Sequence, residues 1–268
     1  QEDTTSRLPL RFFVRGSSYQ ILGLFSSRWH LFGVDEPGRV FILGTDSVGR
    51  DYFSRLLYGA QISLTAGLVG TTISLGIALA LGGLSGYCGG WLDDIAMRSA
   101  EVFLSLPWLY LLFAARAFLP LDVGPAVTFM VIVILLGLVG WAGPTRLVRG
   151  VVLIAREREF VDAARSFGAS HLYLFWRHVF PQTLSVLLTQ AALLVPMYVL
   201  AEVTLSFVGL GVAEPVPSWG NMLAALQQYH VLASSAWMFA PGVALVLITW
   251  LYHSLLSTLE RRPVAVEL

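Results

Sequence analysis

Charge is scarce in this sequence, and lysine is absent from it altogether. Only 13% of the 268 residues are charged, 56% are hydrophobic, and the formal net charge is zero. An ordinary soluble domain carries about 25% charged residues, so a water-soluble globule is excluded. All 17 basic residues are arginines, which excludes a P-loop lysine for nucleotide phosphates and a Schiff-base lysine. Any ATP used with this protein must therefore be hydrolysed by another chain.

Cysteine is almost absent as well. Cys88 is the single one, which excludes an internal disulfide and any multi-cysteine metal site. The balanced charge provides no general attraction to nucleic acid. We therefore expect no nucleic-acid partner, no metal site and no cofactor bound by this chain.

Long charge-free runs dominate the sequence instead. A helix needs roughly 20 mainly apolar residues to cross a membrane. Four runs without Asp, Glu or Arg are long enough, and a fifth is interrupted by Arg116, whose side chain we expect to extend toward an interface. The five predicted spans are 61–92, 102–121, 123–145, 179–201 and 232–259. The sequence thus predicts an all-α, polytopic membrane protein with the lipid bilayer as its surroundings.

Arginine positions predict the orientation of these spans. The connection between the third and fourth spans carries six arginines and the C-terminal tail carries Arg261 and Arg262, whereas 209–231 carries none. Because cytoplasmic connections are enriched in arginine, we expect the arginine-rich connection and the C-terminus in the cytoplasm. Five spans then place residues 1–57 outside, with no apolar run to carry them across. We therefore expect an upstream signal or first transmembrane helix that this numbering lacks.

Three glycines near the end of the first run recur every four residues: Gly82, Gly86 and Gly90. Such a stripe of small residues lets a second helix approach closely. Glycine is also common in membrane helices for no such reason, so the pattern leaves both interpretations open.

The arginine-rich connection has a helical pattern of its own. Good helix formers begin at Glu159, and Gly168 ends the segment as a C-terminal glycine ends a helix. Two aromatic and two small residues fall at i, i+3, i+4 and i+7 and share one face: Phe160, Ala163, Ala164 and Phe167. That face is suited either to a partner protein or to the lipid surface, and the pattern alone favours neither.

Within this segment, Asp162-Ala163-Ala164 is followed after three residues by Gly168, and Phe180-Pro181 closes it. The pattern resembles the EAA loop of binding-protein-dependent ABC transporter permeases, although Asp162 replaces the usual Glu, His178 an aliphatic residue and Phe180 the usual Leu. In that family the loop forms a coupling helix that sits in a groove of the ATP-hydrolysing subunit. The resemblance implies that the following residues contact that subunit: Glu159, Phe160, Asp162, Ala163, Ala164, Arg165, Phe167 and Gly168.

Two further stretches narrow the resemblance. The first is Leu43-Gly44-Thr45-Asp46, Gly49-Arg50-Asp51, Ser54-Arg55-Leu56, Tyr58-Gly59 and Ile62-Ser63-Leu64; the second is Ala201-Glu202, Leu205-Ser206-Phe207, Gly209-Leu210-Gly211 and 217–223. Both are similar to C-type permeases of the dipeptide, oligopeptide and nickel importers. With Gly86-Tyr87, Gly89-Gly90-Trp91, Asp93 and Met97-Arg98, the match covers about residues 43–262.

The resemblance implies an architecture and a set of partners. The fold would be that of a type I ABC importer permease, with a further helix before the outer segment. The expected regions are an extracytoplasmic segment 1–57, a transmembrane permease domain 58–262 with a cytoplasmic coupling loop 150–181, and a tail 263–268. Within the first region, residues 1–42 are expected to form a small packed lobe that either contacts a substrate-binding protein or only covers the outer mouth.

The implied activity is that of one permease subunit in the inner membrane, which does not itself catalyse a reaction. It would form half of a pathway for di- or oligopeptides, nickel or another small solute. The implied partners are a second homologous permease, two ATP-binding cassette subunits that bind the ATP, and an extracytoplasmic substrate-binding protein.

Glu202 is a carboxylate near the outer end of the fourth predicted span. An intramembrane carboxylate is costly, so it needs water, a partner or a proton. Glu202, with Ser206 one turn later, lines the translocation path, makes a hydrogen bond between packed helices, or lies already at the membrane interface.

Two other functional classes remain as alternatives. Ser85 lies in a Gly-x-Ser-Gly and His253 lies in the last span, and this pair is similar to that of a rhomboid-like intramembrane serine protease. A self-contained channel or secondary transporter would need inverted repeats or paired charges across spans, and the sequence has neither.

Overall fold

The computed structural model describes residues 9, 11–21, 25–34, 40–120, 123–228 and 235–260. It divides into two compact units, Gln1–Leu57 and Tyr58–Leu268. The predicted tail 263–268, with Arg261 and Arg262 before it, lies outside the described residues. In chain order, the described strands and helices are β1 Arg11–Ile21, β2 Phe25–Gly33, α1 Tyr52–Cys88, α2 Gly90–Ser105, α3 Trp108–Ala117, α4 Pro125–Val139, α5 Ala142–Arg156, α6 Glu159–Ser166, α7 His171–Leu174, α8 Phe180–Phe207, α9 Trp219–Ala224 and α10 Ala240–Glu260.

The first unit contains a β-hairpin, an element that the all-α prediction did not include. Strands β1 and β2 pair in antiparallel fashion, with a register shift between Arg15 and Tyr19. Phe12 and Trp29 are 72% and 51% exposed. The guanidinium of Arg15 lies 4.9 Å from the centre of the Trp29 ring, a cation–π contact that joins the two strands.

Asp46 organises the turn that leads into α1. Its Oδ1 accepts the backbone N–H groups of Val48 and Arg50, each at 2.9 Å, and its Oδ2 accepts Arg50 Nε at 2.6 Å. Burial raises the pKa of this carboxyl, but the hydrogen bonds from Arg50 and Val48 outweigh burial and the pKa lies below its ordinary value. The Thr-Asp and Gly-Arg-Asp residues of the sequence motif therefore form one hydrogen-bonded turn.

The second unit is helical and contains up to five membrane-crossing elements. Three helical stretches are long and apolar enough to cross by themselves: Tyr52–Cys88, His171–Phe207 and Ala236–Ser254. Two bent helix pairs, α2 with α3 and α4 with α5, bring the number to five if each pair is one span. On α4, the outward residues Val127, Met130, Ile134 and Leu138 are all at least 49% exposed, as expected for a face that meets lipid. The predicted all-α, polytopic architecture is thus confirmed for this unit.

The predicted span 102–121 is not one helix. Helices α2 and α3 meet at an angle of 90° on either side of Leu106 and Pro107. Leu106 is extended, at φ −92° and ψ 140°, because the residue before a proline is sterically kept out of the helical region. The prediction for Arg116 was wrong as well. Its side chain is 2% exposed and donates to the carbonyls of Leu119 and Pro120, so it caps the end of α3 rather than extending away.

The close helix approach predicted from glycines occurs between α1 and α5. A Cβ atom on Gly82 would lie 2.6 Å from the carbonyl oxygen of Thr145, and one on Gly86 would lie 2.9 Å from that of Arg149. Gly90 does not belong to this contact, because it begins α2 and has nothing within 4 Å of its Cβ position. Gly82 and Gly86 therefore allow the predicted close approach of a second helix, and Gly90 does not.

Tyr198 lies at the centre of the main hydrophobic core, which unites α3, α4 and α8. The core residues are Leu112, Ile132, Leu136, Leu194, Tyr198, Ala201, Leu205 and Val212. The Tyr198 hydroxyl lies 2.6 Å from Ser74 Oγ, and Ser74 donates to the carbonyl of Gly137 at 3.0 Å. Tyr198 of α8 thus satisfies its polar end through Ser74 of α1, which itself bonds to α4.

Candidate functional site

The predicted coupling segment forms the helix α6, which spans Glu159–Ser166. Its C-terminus is a Schellman motif, in which Gly168 N donates to Arg165 O at 2.9 Å and Ala169 N donates to Ala164 O at 3.2 Å. Gly168 has φ +83°, a left-handed conformation that glycine adopts without strain. The sequence prediction of a short helix ended by this glycine is confirmed in the geometry.

The predicted face of α6 is uncovered in this chain. Phe167 is 92% exposed and Phe160 is 44% exposed, with its ring 5.8 Å from that of His178. Ala163 is exposed too, whereas Ala164 is half-buried. On the polar side, Arg165 Nη1 donates to Asp162 Oδ1 at 3.0 Å in an ion pair that is open to solvent. Two large apolar side chains without cover are a surface suited to a partner.

Val161 attaches α6 to the rest of the protein. It is fully buried, although the residues on either side of it, Phe160 and Asp162, are exposed. Its backbone N–H donates to the carbonyl of Arg158 at 2.9 Å and closes the first turn. Sequence reasoning missed this residue because its position falls outside the apolar stripe formed by Phe160, Ala163, Ala164 and Phe167.

Residues before and after α6 contact the C-terminal end of α1. From α5, Arg156 Nη1 donates to the carbonyls of Gly86 and Tyr87, at 2.9 and 3.3 Å. From α7, the His171 carbonyl accepts the Tyr87 hydroxyl at 3.2 Å, and the Phe175 ring lies edge-on to that of Tyr87 at 5.7 Å. A displacement of α6 would therefore act on α1 through both of its neighbours.

A further ion pair joins α2 to α5. Two nitrogens of the Arg149 guanidinium, Nε and Nη2, donate to the carboxylate of Asp93. The side chains of Arg149 and Asp93 are mostly buried. A bidentate pair of this kind fixes the relative position of two helices. In the sequence, Arg149 counted only toward the orientation of the spans, so its partner could not be identified.

The two residues predicted for the translocation path lie together but are enclosed. Glu202 is 0% exposed and Ser206 is 3% exposed, and Ser206 Oγ donates to Glu202 Oε1 at 2.7 Å. Neither side chain faces an open passage within the described part of this chain. This hydrogen bond lies within α8, between two residues one turn apart, and the role of both residues in the translocation path stays a prediction.

The protease alternative has no geometric support. Ser85 is buried, and its hydroxyl donates to the carbonyl of Gly82 at 3.3 Å. His253 lies on α10, and no hydrogen bond joins it to Ser85 in the described ranges.

Among the described residues, no three His, Cys, Asp or Glu side chains are grouped so that they could hold a metal ion.

Comparison with known sequences gives one consistent family. The model of the family described as "Binding-protein-dependent transport system inner membrane component" matches residues 73–264. A Brucella suis protein named as a peptide permease is 40% identical over 205 residues, which are 76% of this chain and 66% of that protein. The dipeptide transport system permease protein of Bacillus subtilis is 36% identical over 214 residues, or 79% of this chain and 64% of that protein. The chain therefore spans slightly less than two thirds of the length of these relatives.

Comparison with solved structures gives the same fold at low sequence identity. An amino acid ABC transporter crystallised with histidines has a chain that superposes with a TM-score of 0.58 and 18% identity, over 79% of this chain and 95% of that one. An inward-facing methionine ABC transporter gives 0.57 and 17%, over 78% of this chain and 95% of that one.

Proposed function

The chain belongs to the family of binding-protein-dependent transport system inner membrane components, and on this premise we propose that it is a permease subunit of an ATP-driven peptide importer. As a family member with several membrane-crossing elements, it is a multi-pass inner-membrane protein. In the proposal it forms half of the translocation pathway and catalyses no reaction itself. Its partners are a second homologous permease, two ATP-binding cassette subunits and an extracytoplasmic substrate-binding protein.

The exposed helix α6 is the observation that carries this proposal. It presents Phe160 and Phe167 to the outside while Val161 attaches it to the protein. Its length of two turns and its capped end make it a compact, rigid contact. We assign the contact with the ATPase subunit to this helix and the glycine after it: Glu159, Phe160, Asp162, Ala163, Ala164, Arg165, Phe167 and Gly168.

Transmission from α6 to the membrane helices follows from the contacts at its ends. Helix α5 lies against α1 where Gly82 and Gly86 leave room for its backbone. The other neighbour of α6, α7, continues through the π-turn Phe175–Val179 into the long helix α8. Movement of α6 would thus reach α1 and α8 together.

The energetic basis is a shift between two global states. Nucleotide binds the associated state of the ATPase subunits more tightly than the separated state, and it therefore favours whichever permease conformation fits that association. In this scheme the α6 contact differs between inward-facing and outward-facing forms. This chain contributes the contact and the pathway, and the ATPase subunits contribute the free energy.

Peptides are the proposed cargo. The relatives from Brucella suis and Bacillus subtilis carry names of peptide and dipeptide transport, and a Pectobacterium atrosepticum relative that is 34% identical over 219 residues is named as a glutathione transport system permease. Glutathione is itself a short peptide. The proposal is therefore di- or oligopeptides, with the binding protein selecting among them.

Purification from native membranes tests the proposed function. The full chain is tagged, extracted in mild detergent and isolated, and the proteins that accompany it are identified by mass spectrometry. We expect a homologous permease and P-loop ATPases in stoichiometric amounts. Isolation of the chain alone, or only with copies of itself, would contradict the proposal. A serine-reactive fluorophosphonate provides a second check, because labelling of Ser85 would favour the protease alternative.

A further inference from the structure

An apolar groove lies between the C-terminal part of α1 and α7. Its volume is about 570 Å³, within the range of sites that hold small molecules. On α1 it follows one helical face from Gly76 to Cys88. The other wall includes three large apolar side chains from α7 and the π-turn after it: Leu172, Phe175 and Trp176. Leu84 and Leu172, one from each wall, are 57% and 70% exposed, so the described part of the chain leaves the groove uncovered.

Two glycines of α1 shape this groove. A Cβ atom on Gly83 would lie 3.1 Å from Phe175 Cζ, so the phenylalanine ring rests directly on the helix. A side chain on Gly76 would meet open space, because nothing lies within 4 Å of its Cβ position. At the other end, the Tyr87 hydroxyl donates to the His171 carbonyl at 3.2 Å. The two walls thus meet at the Tyr87 end and leave space at the Gly76 end.

The groove has about the length of one membrane leaflet. Gly76 and Cys88 are twelve positions apart on α1, which is about 18 Å along a helix. The hydrocarbon core of a bilayer is about 30 Å thick, so one leaflet contributes about 15 Å. In the orientation predicted from the arginines, the Cys88 end is cytoplasmic and the groove lies in the cytoplasmic leaflet. A single lipid acyl chain therefore fits along it.

A second, more polar depression adjoins the groove at α7. Leu172 and Trp176 line both, so the two are continuous. The remaining residues of the depression are Ser170, Tyr173 and Arg177. Arg177 is exposed and forms no ion pair with another described residue, and no carboxylate of the described ranges lines either the groove or the depression. The depression therefore has one positive charge that its own lining does not neutralise.

The residues of the depression are typical of the membrane interface. Tyrosine and tryptophan are enriched at the level of the lipid headgroups, and an arginine near the end of a membrane helix extends toward them. Arg177 is also the last arginine before the apolar run 179–201. Together with Tyr173 and Trp176 it offers N–H and O–H donors. Basic pockets between membrane helices on the cytoplasmic side are suited to anionic lipid headgroups.

We propose that the groove and the depression form one binding site for an anionic phospholipid of the cytoplasmic leaflet. The phosphate lies against Arg177, with Tyr173 and Trp176 as neighbouring donors, and one acyl chain follows α1 toward Gly76. The uncompensated charge favours an anionic headgroup over a zwitterionic one. The groove adds apolar contact along the chain. Lipids that only surround the protein would show no such preference.

The site lies beside the proposed contact with the ATPase subunit, and its consequence for transport rests on the proposed function. The ring of His178 lies 5.8 Å from that of Tyr173 and 5.8 Å from that of Phe160 on α6. A bound lipid would hold α7 against α1 at the place where movement of α6 reaches the membrane helices. Loss of the lipid should therefore weaken stimulated ATP hydrolysis while membrane insertion stays intact.

Photoreactive lipids test the site. The full chain with its co-purifying subunits is placed in nanodiscs of equal parts phosphatidylglycerol and phosphatidylcholine, and a trace of one of the two lipids carries a diazirine in its acyl chain. Labelled peptides are identified by mass spectrometry after illumination. At 76–88 and 171–177, phosphatidylglycerol should label about fivefold more than phosphatidylcholine, the preference that one arginine gives to an anionic surface. The outward face of α4 is the reference and should be labelled equally by both.

Two variants separate the headgroup end from the acyl end. Arg177→Gln should make labelling by the two lipids equal, whereas Arg158→Gln, at an exposed arginine that lines neither the groove nor the depression, should keep the preference. Gly76→Leu should reduce labelling of the groove several-fold with both lipids, and its side chain enters open space, so the fold should tolerate it. Thr189→Leu is the control, because it adds the same side chain to an exposed part of α8 outside the groove.

Two results would overturn the inference. Equal labelling of the groove by both lipids in the unaltered protein would show surrounding lipid only. Labelling of the α4 face without labelling of the groove would show that another helix, such as one of a second permease, covers it.

The proposed function is decided separately. If the preference appears and is lost in Arg177→Gln, but the unaltered complex takes up no peptide into vesicles, the proposed function fails and the lipid site stands. If uptake is normal and the two lipids label the groove equally, only the lipid site fails.

Discussion

The connection before α8 and the connection after it differ in how much of their surface the chain itself covers. The first contains α6, which leaves two phenylalanines exposed and is held by one buried valine and by ties at its two ends. The second, 208–218, folds back on α1 and α8, because Val212 N donates to Ser206 of α8 and Trp219 N, directly after the connection, donates to Ser63 of α1. Arginine is frequent in the first and absent from the second. In the proposed function the first connection contacts another protein, whereas the second packs against helices of its own chain.

The largest expected effect is on function at the first connection. Gly168→Pro cannot adopt φ +83°, and Ala164→Glu places a charge on the half-buried edge of the proposed docking face. We expect each variant to abolish substrate-stimulated ATP hydrolysis by the complex while membrane insertion stays intact. ATPase assays on purified complexes measure the first quantity, and the amount of chain in washed membranes measures the second.

Ser166→Glu is the matched control for Ala164→Glu. It adds the same side chain to the exposed, opposite side of α6 and should retain most of the stimulated activity. Normal transport in Ala164→Glu or Gly168→Pro would remove α6 from the mechanism, and with it the contrast between the two connections.

The next effect is on stability, and it compares Gly168 of the first connection with Gly220, which lies in α9 directly after the second connection. A Cβ on Gly220 would overlap the carbonyl of Val203 and the side chain of Ser206, so Gly220→Ala should cost about 3 kcal/mol of folding free energy. Gly168→Ala has open space and should cost only about 1 kcal/mol of left-handed strain. Thermal unfolding of the purified complexes, followed by tryptophan fluorescence, ranks the two. Equal costs would mean that the second connection is not held against α8.

The sequence was more informative about the exposed connection than about the buried one. Helix α6 and its terminal Gly168 could be predicted because propensity and capping are local properties. The contact of the buried connection with α1 could not, because Ser63 and Trp219 are 156 residues apart in the chain and neither indicates the other in the sequence.

The same distinction applies to the spans. Apolar length identified α1 and α8, whereas the 90° bend at Pro107 and the burial of Arg116 depend on how α3 packs in the core. Proline was visible in the sequence, but proline is tolerated in membrane helices and does not by itself specify a break.

A smaller effect is expected at the ion pair between α2 and α5, which supports the α6 end. Asp93→Ala or Arg149→Ala leaves a mostly buried charge without its partner and should cost about 2 kcal/mol. The double variant should cost less than the sum of the two single variants, since neither charge is then stranded. The same thermal unfolding assay gives all three values. Strict additivity would show that the pair does not contribute.

The smallest effect is expected on the surface of α6. Asp162 and Arg165 are 61% and 50% exposed, so Arg165→Gln should change the free energy of unfolding by less than about 0.5 kcal/mol. Its effect on stimulated ATP hydrolysis should exceed what that small change explains, because Arg165 belongs to the proposed contact. A variant that is destabilised strongly, with activity lost in proportion, would indicate that this pair supports the fold instead.

Cys88, the only cysteine of the chain, is the last residue of α1 and is exposed. It directly follows Tyr87, whose carbonyl is held by Arg156 and whose ring meets Phe175. A nitroxide attached to this thiol would therefore mark a single position in the chain without any engineering of the background. If the proposed function holds, electron paramagnetic resonance on that label should show a change in the mobility of the α1 terminus when nucleotide is added to the complex.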